Sequence, residues 1–362
     1  MKEIVTMGLG KVGTLVGVLL SKRYNVVGID KQKPHYDFDL PFDVVEGDLS
    51  NEDFIRKALV NKDAVVSALP YYLNKLIAKV AHDLGIHYFD LTEDVSTTNY
   101  IRELSKTSKG VMAPQCGLAP GFIGIIGAHL TQDFTKVRDI ELRVGALPRY
   151  PNGQMAYSFT WSPAGVINEY INDAEAIHHG ERKMVTSLNG FEYINIGGRE
   201  FEAFTTSGGL GTMCETYEGK VDTLNYKSIR YPGHGKLMKF LISELIMKDD
   251  KENLTKILEN AKPPVKEDVV YIYAVVEGWK NEKLFRNEYY KAFYPLEIQG
   301  QEWRAISWTT AASIAAVIEM VEKGDLPSQG FIKQEEIPND KLIQTSNGQL
   351  YLRGDSGGLP KE

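Results

Sequence analysis

The stretch Ile4-Val5-Thr6-Met7-Gly8-Leu9-Gly10-Lys11-Val12-Gly13, continued by Asn25-Val26-Val27-Gly28-Ile29-Asp30, decides the fold. A largely apolar run, a glycine turn, an apolar-patterned segment and a second apolar run ending in an acid read as strand, turn, helix, strand. Gly8 permits a tight turn off the strand, Gly10 removes a side chain where backbone must approach a pyrophosphate, and Gly13 lets helix and strand lie close. The phosphates then rest on a helix N-terminus, where unpaired N–H groups and the helix dipole favour an anion. Asp30, seventeen residues beyond Gly13, accepts hydrogen bonds from ribose hydroxyls and repels a 2′-phosphate, so the reading favours NAD over NADP. Lys31 and Lys33 follow the acid and are the cations that speak for NADP.

Past Asp30 the alternation of short apolar strands and helices continues. Strands are predicted over 42–46, 64–68, 87–91 and 111–113, and helices over 51–60, 72–84 and 97–106. This is an α/β pattern: an N-terminal Rossmann domain with a doubly wound parallel sheet. Ligands gather at the carboxyl ends of such strands, which draws attention to Asp48, to Ser67-Ala68-Leu69-Pro70-Tyr71, to Asp90–Asp94 and to Pro114–Pro120. From about Gly127 the pattern changes. Segments 137–146, 156–162, 191–205, 221–231, 268–278 and 284–298 read as strands without regular intervening helices, the mark of an α+β second domain with a mixed or antiparallel sheet. A helix over 309–323, apolar on nearly every turn, is expected to be buried against the first domain or a partner subunit. The expected organisation is 1–126, 127–308 and 309–362, the last a helix and tail that pack back on the Rossmann domain, with a frayed end at Gly354–Gly358.

Composition bounds the function. The chain has 362 residues, 43% hydrophobic and 25% charged, with a net charge of −7. A mildly acidic chain without a basic block argues against a nucleic-acid partner. Cys116 and Cys214 are too few for a disulfide framework, and the expected compartment is the cytoplasm. Lys11 and three glycines interrupt the apolar N-terminus, so it is not read as a signal peptide. No run reaches the ~20 apolar residues of a membrane span. The seven histidines form no ligand set with metal spacing, and adjacent His178-His179 point apart, so no metal is expected.

Further motifs stand beside the glycine turn: Ser67-Ala68-Leu69-Pro70-Tyr71, Cys116-Gly117-Leu118-Ala119-Pro120-Gly121, Thr160-Trp161-Ser162-Pro163, Thr206-Ser207-Gly208-Gly209 and Ile229-Arg230-Tyr231-Pro232-Gly233-His234. Through these the chain resembles the saccharopine dehydrogenase-like family over nearly its whole length, and within it the lysine 6-dehydrogenases, which show alanine where Ala119 stands. The resemblance implies hydride transfer from an amine-bearing carbon to a nicotinamide. For lysine, the ε-carbon gives up hydride, the imine takes up water and loses ammonia, and the semialdehyde cyclises. The alternatives are saccharopine dehydrogenase or reductase chemistry and a carboxynorspermidine-type reductive coupling. A non-catalytic sensor of NAD or a metabolite is the reading from a different class.

Such chemistry needs a base for an amine of ordinary pKa near ~10.4 and a cation for an α-carboxylate. Asp90, Glu93 and His234 are the candidates for the basic role. Asp90 has the alternative of holding its loop, and neighbouring Asp94 that of capping the next helix. Arg230, in front of a Pro-Gly-His turn, is the candidate carboxylate ligand, with Arg149 a second cation. Two such arginines facing the substrate favour saccharopine, which carries more carboxylates than lysine. Thr206 is a candidate for the substrate's α-groups, or only part of a glycine turn. Tyr71 covers the nicotinamide or packs on the sheet. Gly8, Gly10, Lys11, Val12, Gly13, Asp30, Asp48, Ser67, Ala68, Leu69 and Pro70 are the cofactor candidates, Asp48 having loop capping as its alternative. Cys116 is not read as a nucleophile, because no histidine lies near it in sequence and hydride transfer needs no covalent step. A homodimer with its sheet edges covered is expected.

Overall fold

The computed structural model describes residues 1–355. The chain opens with β1 (Glu3–Met7), α1 (Lys11–Leu20), β2 (Asn25–Asp30), β3 (Asp43–Glu46), α2 (Glu52–Leu59), β4 (Ala64–Ser67), α3 (Tyr71–Leu84), β5 (His87–Asp90), α4 (Val95–Ser105), β6 (Val111–Ala113) and α5 (Phe122–Thr131). Local chemistry sets the helix ends. Asn51 and Asp94 cap α2 and α4 by accepting from Phe54 N at 3.1 Å and Thr97 N at 2.7 Å, and Gly85 closes α3 at φ 73°. The four residues of β4 are all buried, as strands covered on both faces require.

The second stretch runs through β7 (Lys136–Pro148), α6 (Pro163–Ile171), β8 (Ala174–His178), β9 (Glu181–Val185), β10 (Glu192–Ile196), β11 (Arg199–Thr205), α7 (Met213–Tyr217), β12 (Thr223–Arg230), α8 (His234–Lys239), α9 (Lys251–Ala261), β13 (Asp268–Lys280), β14 (Lys283–Phe293), β15 (Leu296–Ile298) and β16 (Gln301–Trp303). An eight-stranded sheet has the order β10-β11-β12-β7-β13-β14, with β8 beside β12 and β9. The β12–β7 pair is parallel and the other pairs are antiparallel, so the sheet is mixed. Residues 156–162 are not a strand, and 191–205 is a hairpin, β10–β11, turned at Gly197-Gly198. The Thr160-Trp161-Ser162-Pro163 motif instead starts α6, with Ser162 Oγ accepting from Gly165 N at 3.1 Å and Pro163 at the first helical position.

The chain closes with α10 (Ala305–Lys323), β17 (Gly330–Phe331) and α11 (Asn339–Leu342). Strand β17 completes the first sheet, whose order is β17-β6-β5-β4-β1-β2-β3 and whose pairs are all parallel. The fold is therefore α/β, a doubly wound parallel sheet and a second, mixed one. Two compact units result: Met1–Ile125 with Ser307–Leu352, and Ile126–Ile306 with the described residues from Arg353 on. Among the described residues α10 alone is long and apolar enough to cross a membrane, and it is almost wholly buried in the protein. Asp268, at the start of β13, accepts from Ala305 N at 2.7 Å and Ile306 N at 3.0 Å, satisfying the first amides of α10. Of the fraying expected at Gly354–Gly358, Gly354 accepts from Lys291 Nζ at 3.0 Å and Asp355 bridges to Ala292, while residues 356–358 lie outside the described residues.

The tail of the first unit is held by Glu319 of α10, a fully buried acid that accepts from Ser346 N, Ser346 Oγ, Asn347 N and Asn347 Nδ2 at 2.6–3.0 Å. Substituting Glu319→Ala strands those donors, and the expected loss is about 3 kcal/mol of unfolding free energy, read from urea titration.

Candidate active site

In the first unit the glycine turn has three different steric environments. A Cβ on Gly13 meets Gly8 O at 1.8 Å and Ala68 Cβ at 2.9 Å, and a Cβ on Gly8, whose φ is +90°, meets Ala68 O at 2.7 Å. Around Gly10 a Cβ meets nothing within 4 Å. Gly8 and Gly13 thus serve the packing of turn, α1 and β4, while Gly10 presents bare backbone to open space. Helix α1 has no acid in its first turn, and Lys11, Val12 and Gly13 offer the N–H groups that lack a carbonyl four residues back. These residues fit a pyrophosphate. Asp30 accepts from Leu9 N at 2.5 Å and from Lys31 N at 2.6 Å, so it also ties the end of β2 to the turn. A carboxylate has about four acceptor sites, which leaves capacity for ribose hydroxyls. Asp48 receives Ser50 N at 2.9 Å and Ser50 Oγ at 2.7 Å, bonds that hold its carboxyl below the usual range; it caps its loop.

At the ends of β4 and β5 the candidates separate. The Ser67 hydroxyl is buried and donates to Asn74 Oδ1 at 2.7 Å, so its side chain faces the protein and not a ligand. Ala68 and Leu69 are half-buried, and Pro70 and Tyr71 are exposed. Asp90 is not available as a base. It has no exposed surface, Oδ2 accepts from Tyr88 Oη at 2.7 Å, and Oδ1 accepts from Thr92 N at 2.9 Å and Gln115 N at 3.0 Å. Burial raises its pKa to about 6 against the pull of those bonds. It locks the β5 and β6 ends together. Asp94 caps α4, as its alternative reading had it. Glu93 is different: half-buried, with its carboxyl pushed up by burial and then by Asp94, it meets no cation among the described residues. Cys116 is sealed against Ala113 O at 3.2 Å and Gln334 Nε2 at 3.4 Å, and burial pushes its thiol far up, which removes any nucleophilic thiolate.

The second unit brings Arg230 and His234 to one side chain that sequence reasoning missed. Arg230 ends β12 and is 3% exposed. Its Nε donates to Tyr170 Oη at 2.8 Å and Nη1 to Ile229 O at 2.8 Å, and its guanidinium lies 4.9 Å from the Tyr157 ring centroid and 5.6 Å from that of Tyr170. No carboxylate lies within ion-pair distance of it among the described residues. His234 Nδ1 faces Met155 O at 3.0 Å, and Nε2 faces Tyr170 Oη at 3.1 Å. A carbonyl only accepts, so Nδ1 carries the proton and Nε2 accepts from Tyr170. Burial and then the Arg230 charge lower the pKa of His234 to about 3. A buried neutral imidazole with both nitrogens engaged does not take a proton from a substrate, which corrects its assignment as a base. Glu202 holds the turn around it, Oε2 accepting from Gly233 N at 2.8 Å and Oε1 from Gly235 N at 2.6 Å.

Two further candidates lie elsewhere. Thr206 is 1% exposed and its hydroxyl pairs with Ser228 Oγ at 2.8 Å. Arg149 meets Glu267 at 3.5 Å and lies over the rings of Tyr150 and Tyr294, so its charge already has a counter-ion. The missed residues carried unequal signals. Tyr170 sits among Val166 and Ile167 on an apolar helix face and reads as core. Glu202, an acid between Phe201 and Ala203 in a strand, is the visible anomaly.

The first unit thus carries a parallel sheet with a glycine turn under a helix N-terminus that fits a dinucleotide, and the second a buried arginine with no carboxylate in ion-pair contact among the described residues. Residues 4–113 match the model of the saccharopine dehydrogenase NADP-binding domain, and residues 117–354 that of the saccharopine dehydrogenase C-terminal domain. The chain belongs to the saccharopine dehydrogenase family. Among curated relatives, the alpha-aminoadipic semialdehyde synthase of Arabidopsis thaliana is 25% identical over 225 residues, 58% of this chain and 21% of that protein. The L-glutamate-forming, NADP(+) saccharopine dehydrogenase of Saccharomyces cerevisiae is 22% identical over 264 residues, 65% of this chain and 57% of that protein. The chain spans about a fifth of the length of the first curated relatives it matches. The apo structure of saccharopine dehydrogenase (L-Glu forming) from Saccharomyces cerevisiae superposes with a TM-score of 0.77 at 14% identity, covering 96% of this chain and 98% of that one. Homospermidine synthase from Legionella pneumophila, solved in complex with NAD, gives 0.68 at 15%, covering 99% and 91%. Both likenesses are of fold.

Two predictions follow from this geometry. Gly10→Ala is expected to leave the melting temperature within about 2 °C and to weaken dinucleotide binding, whereas Gly13→Ala lowers the melting temperature outright; calorimetry with cofactor-fluorescence titration separates them. His234 is protonated in the unfolded chain below pH ~6.5 but stays neutral in the fold down to about pH 3, so its contribution to stability is lost as pH falls through that window. The expected slope from this one group is about 1.4 kcal/mol per pH unit, seen as the difference between wild type and His234→Gln in urea unfolding at pH 7, 6 and 5.

Proposed function

We propose that the protein is an NAD-dependent oxidoreductase acting on the CH–NH group of an amino acid, and that its substrate is L-lysine, oxidised at the ε-carbon. The observation that carries this reading is Arg230: a buried guanidinium, flanked by two tyrosine rings, with no carboxylate in ion-pair contact among the described residues, the buried Glu169 acting on it only through space. Burying a charge unpaired is costly, and an α-carboxylate from a ligand supplies the missing partner. Arg149 is engaged by Glu267, and among the described residues Arg230 is a buried arginine without an ion pair, which suits the single carboxylate of lysine better than the several of saccharopine.

In this reading the backbone of Gly8, Gly10, Lys11, Val12 and Gly13 holds the diphosphate. Asp30 favours unphosphorylated ribose, and hence NAD, and Ala68, Leu69 and Pro70 line the cofactor with Tyr71 covering it. When bound, the cofactor's nicotinamide accepts the hydride released from the ε-carbon. The ε-ammonium must first lose a proton, and Glu93, half-buried and raised, is the group that takes it. The carbon then gives up hydride as the C=N bond forms. Water adds to the imine, ammonia leaves, and the aldehyde condenses with the substrate's own α-amine. Arg230 is the second unit's ligand for the carboxylate in this reading. A homodimer and a cytoplasmic location belong to the same proposal, supported by the outer strands β10 and β14 and by two free cysteines.

Reductive coupling, or saccharopine turnover, is the second reading, favoured by the likeness to saccharopine dehydrogenase and homospermidine synthase structures. Initial rates of cofactor reduction with NAD and NADP, offering L-lysine or L-saccharopine at neutral and alkaline pH, decide between them. The expected result is NAD reduction with lysine alone, rising with pH as the ε-amine deprotonates. Glu93→Gln is expected to lower the neutral-pH rate roughly hundredfold and to recover toward pH 10, where the amine is free without a base. Arg230→Met is expected to lower kcat/KM at least about hundredfold. Turnover of saccharopine and not lysine transfers the assignment to the second reading.

A further inference from the structure

Resting on the reading of Arg230 as the carboxylate ligand, a chain of buried hydrogen bonds accounts for how that arginine is aimed. A tyrosine hydroxyl has one proton and two lone pairs and can turn its proton either way. Pointed at a guanidinium N–H, it sets donor against donor. In this protein its direction is decided from behind. His234 spends its Nδ1 proton on Met155 O at 3.0 Å, which leaves Nε2 as an acceptor 3.1 Å from Tyr170 Oη. The hydroxyl proton goes to the imidazole, and a lone pair of the oxygen faces Arg230 Nε at 2.8 Å. Glu202 takes the N–H groups of Gly233 and Gly235 on either side of His234 and fixes where the imidazole sits. The Phe204 ring stacks on the imidazole, 7° from parallel. Tyr170, His234, Glu202 and Arg230 are each at most 3% exposed, so water does not stand in for their side chains.

We propose that Tyr170 and His234, anchored by Glu202, are positioning residues that orient Arg230 for a substrate carboxylate. Two of the five guanidinium N–H groups go to Tyr170 and to Ile229 O. The other three, on Nη1 and Nη2, are left for two carboxylate oxygens. Neither tyrosine nor histidine touches the reacting carbon. Their loss changes how well a carboxylate is held and not how fast the bound amine reacts.

The test is calorimetric titration of the protein with reduced cofactor present, so that nothing turns over. The ligands are L-lysine, L-saccharopine and L-lysinamide, which lacks the carboxylate. The wild type is expected to bind one of the two acids and to prefer it to the amide. Tyr170→Phe and His234→Gln are each expected to weaken the acid about tenfold while the amide stays within about twofold, and the double variant to lose little more than the worse single, because both act through one chain. Arg230→Met is expected to abolish the preference for acid over amide. If Arg230→Met keeps that preference, the carboxylate reading of Arg230 fails and the positioning role with it. If Arg230→Met loses it while Tyr170→Phe and His234→Gln do not, the relay is overturned and Arg230 stands. A lowered melting temperature with an unchanged acid-to-amide ratio marks a purely structural role and overturns the proposal, as does binding of neither acid by the wild type. Should Tyr170→Phe fail to fold, His234→Gln carries the same comparison.

Discussion

The second unit is organised around the cost of burying one positive charge. An unpaired guanidinium out of water is unfavourable by several kcal/mol, and the fold offsets this without a carboxylate in direct contact, Glu169 acting only through space. It uses one hydroxyl, one main-chain carbonyl and the negative faces of two tyrosine rings. None of these neutralises the charge. They stabilise it enough to keep it buried and leave it able to attract an anion, which an ion pair with a protein acid does not do. The contrast lies in the same unit. Arg143, equally buried, is closed by Glu192 and Asn225 and has nothing to offer a ligand. The apolar cluster of Tyr157, Phe159, Tyr170, Phe204 and Ile229 packs around Arg230, so the rings that fill the core also support the cation.

A steric constraint plays the corresponding part in the first unit. Gly13 and Gly8 are glycines because atoms of Gly8 and Ala68 stand where a Cβ would go. Gly10 is not crowded at all. Its bareness fits the close approach of a ligand's phosphates to the turn, as Gly8 and Gly13 do not. Asp30 joins the two roles. It reaches back to Leu9 N and Lys31 N, so the acid proposed to meet the ribose hydroxyls also holds the turn proposed to meet the diphosphate.

The parallel sheet was legible because its periodicity is strong and its turns are short. Strand β17 was not, since two residues, Gly330 and Phe331, carry no pattern of their own and pair only where β6 supplies an edge. The mixed sheet was legible in kind and less so in detail. Residues 156–162 are aromatic and β-branched enough to look extended, yet Ser162-Pro163 directs the chain into a helix. At the site, sequence finds residue types and not their surroundings. Asp90, at a strand end, and His234, in a glycine turn, are candidates by position, and both are spent on internal hydrogen bonds. Glu93, with the same chemistry, is not. Tyr170 had no signal at all, because a tyrosine on an apolar helix face differs from core only in where its hydroxyl points.

The same accounting bears on substrate choice. Under the proposed function the second unit carries a carboxylate ligand and the first a dinucleotide turn, and neither specifies how much larger the substrate is than an amino acid. The count of unneutralised buried cations does. Each carboxylate taken out of water needs its own charged partner, so a substrate with several must find several. Arg149 follows directly on β7, the strand paired with β12, which Arg230 ends. Here the Glu267 carboxylate and the Tyr294 ring hold it. One pairing, made by a residue with no part in the chemistry, thereby reduces the charge available to a ligand. Under the proposed reading of Arg230, that suits a substrate with one carboxylate.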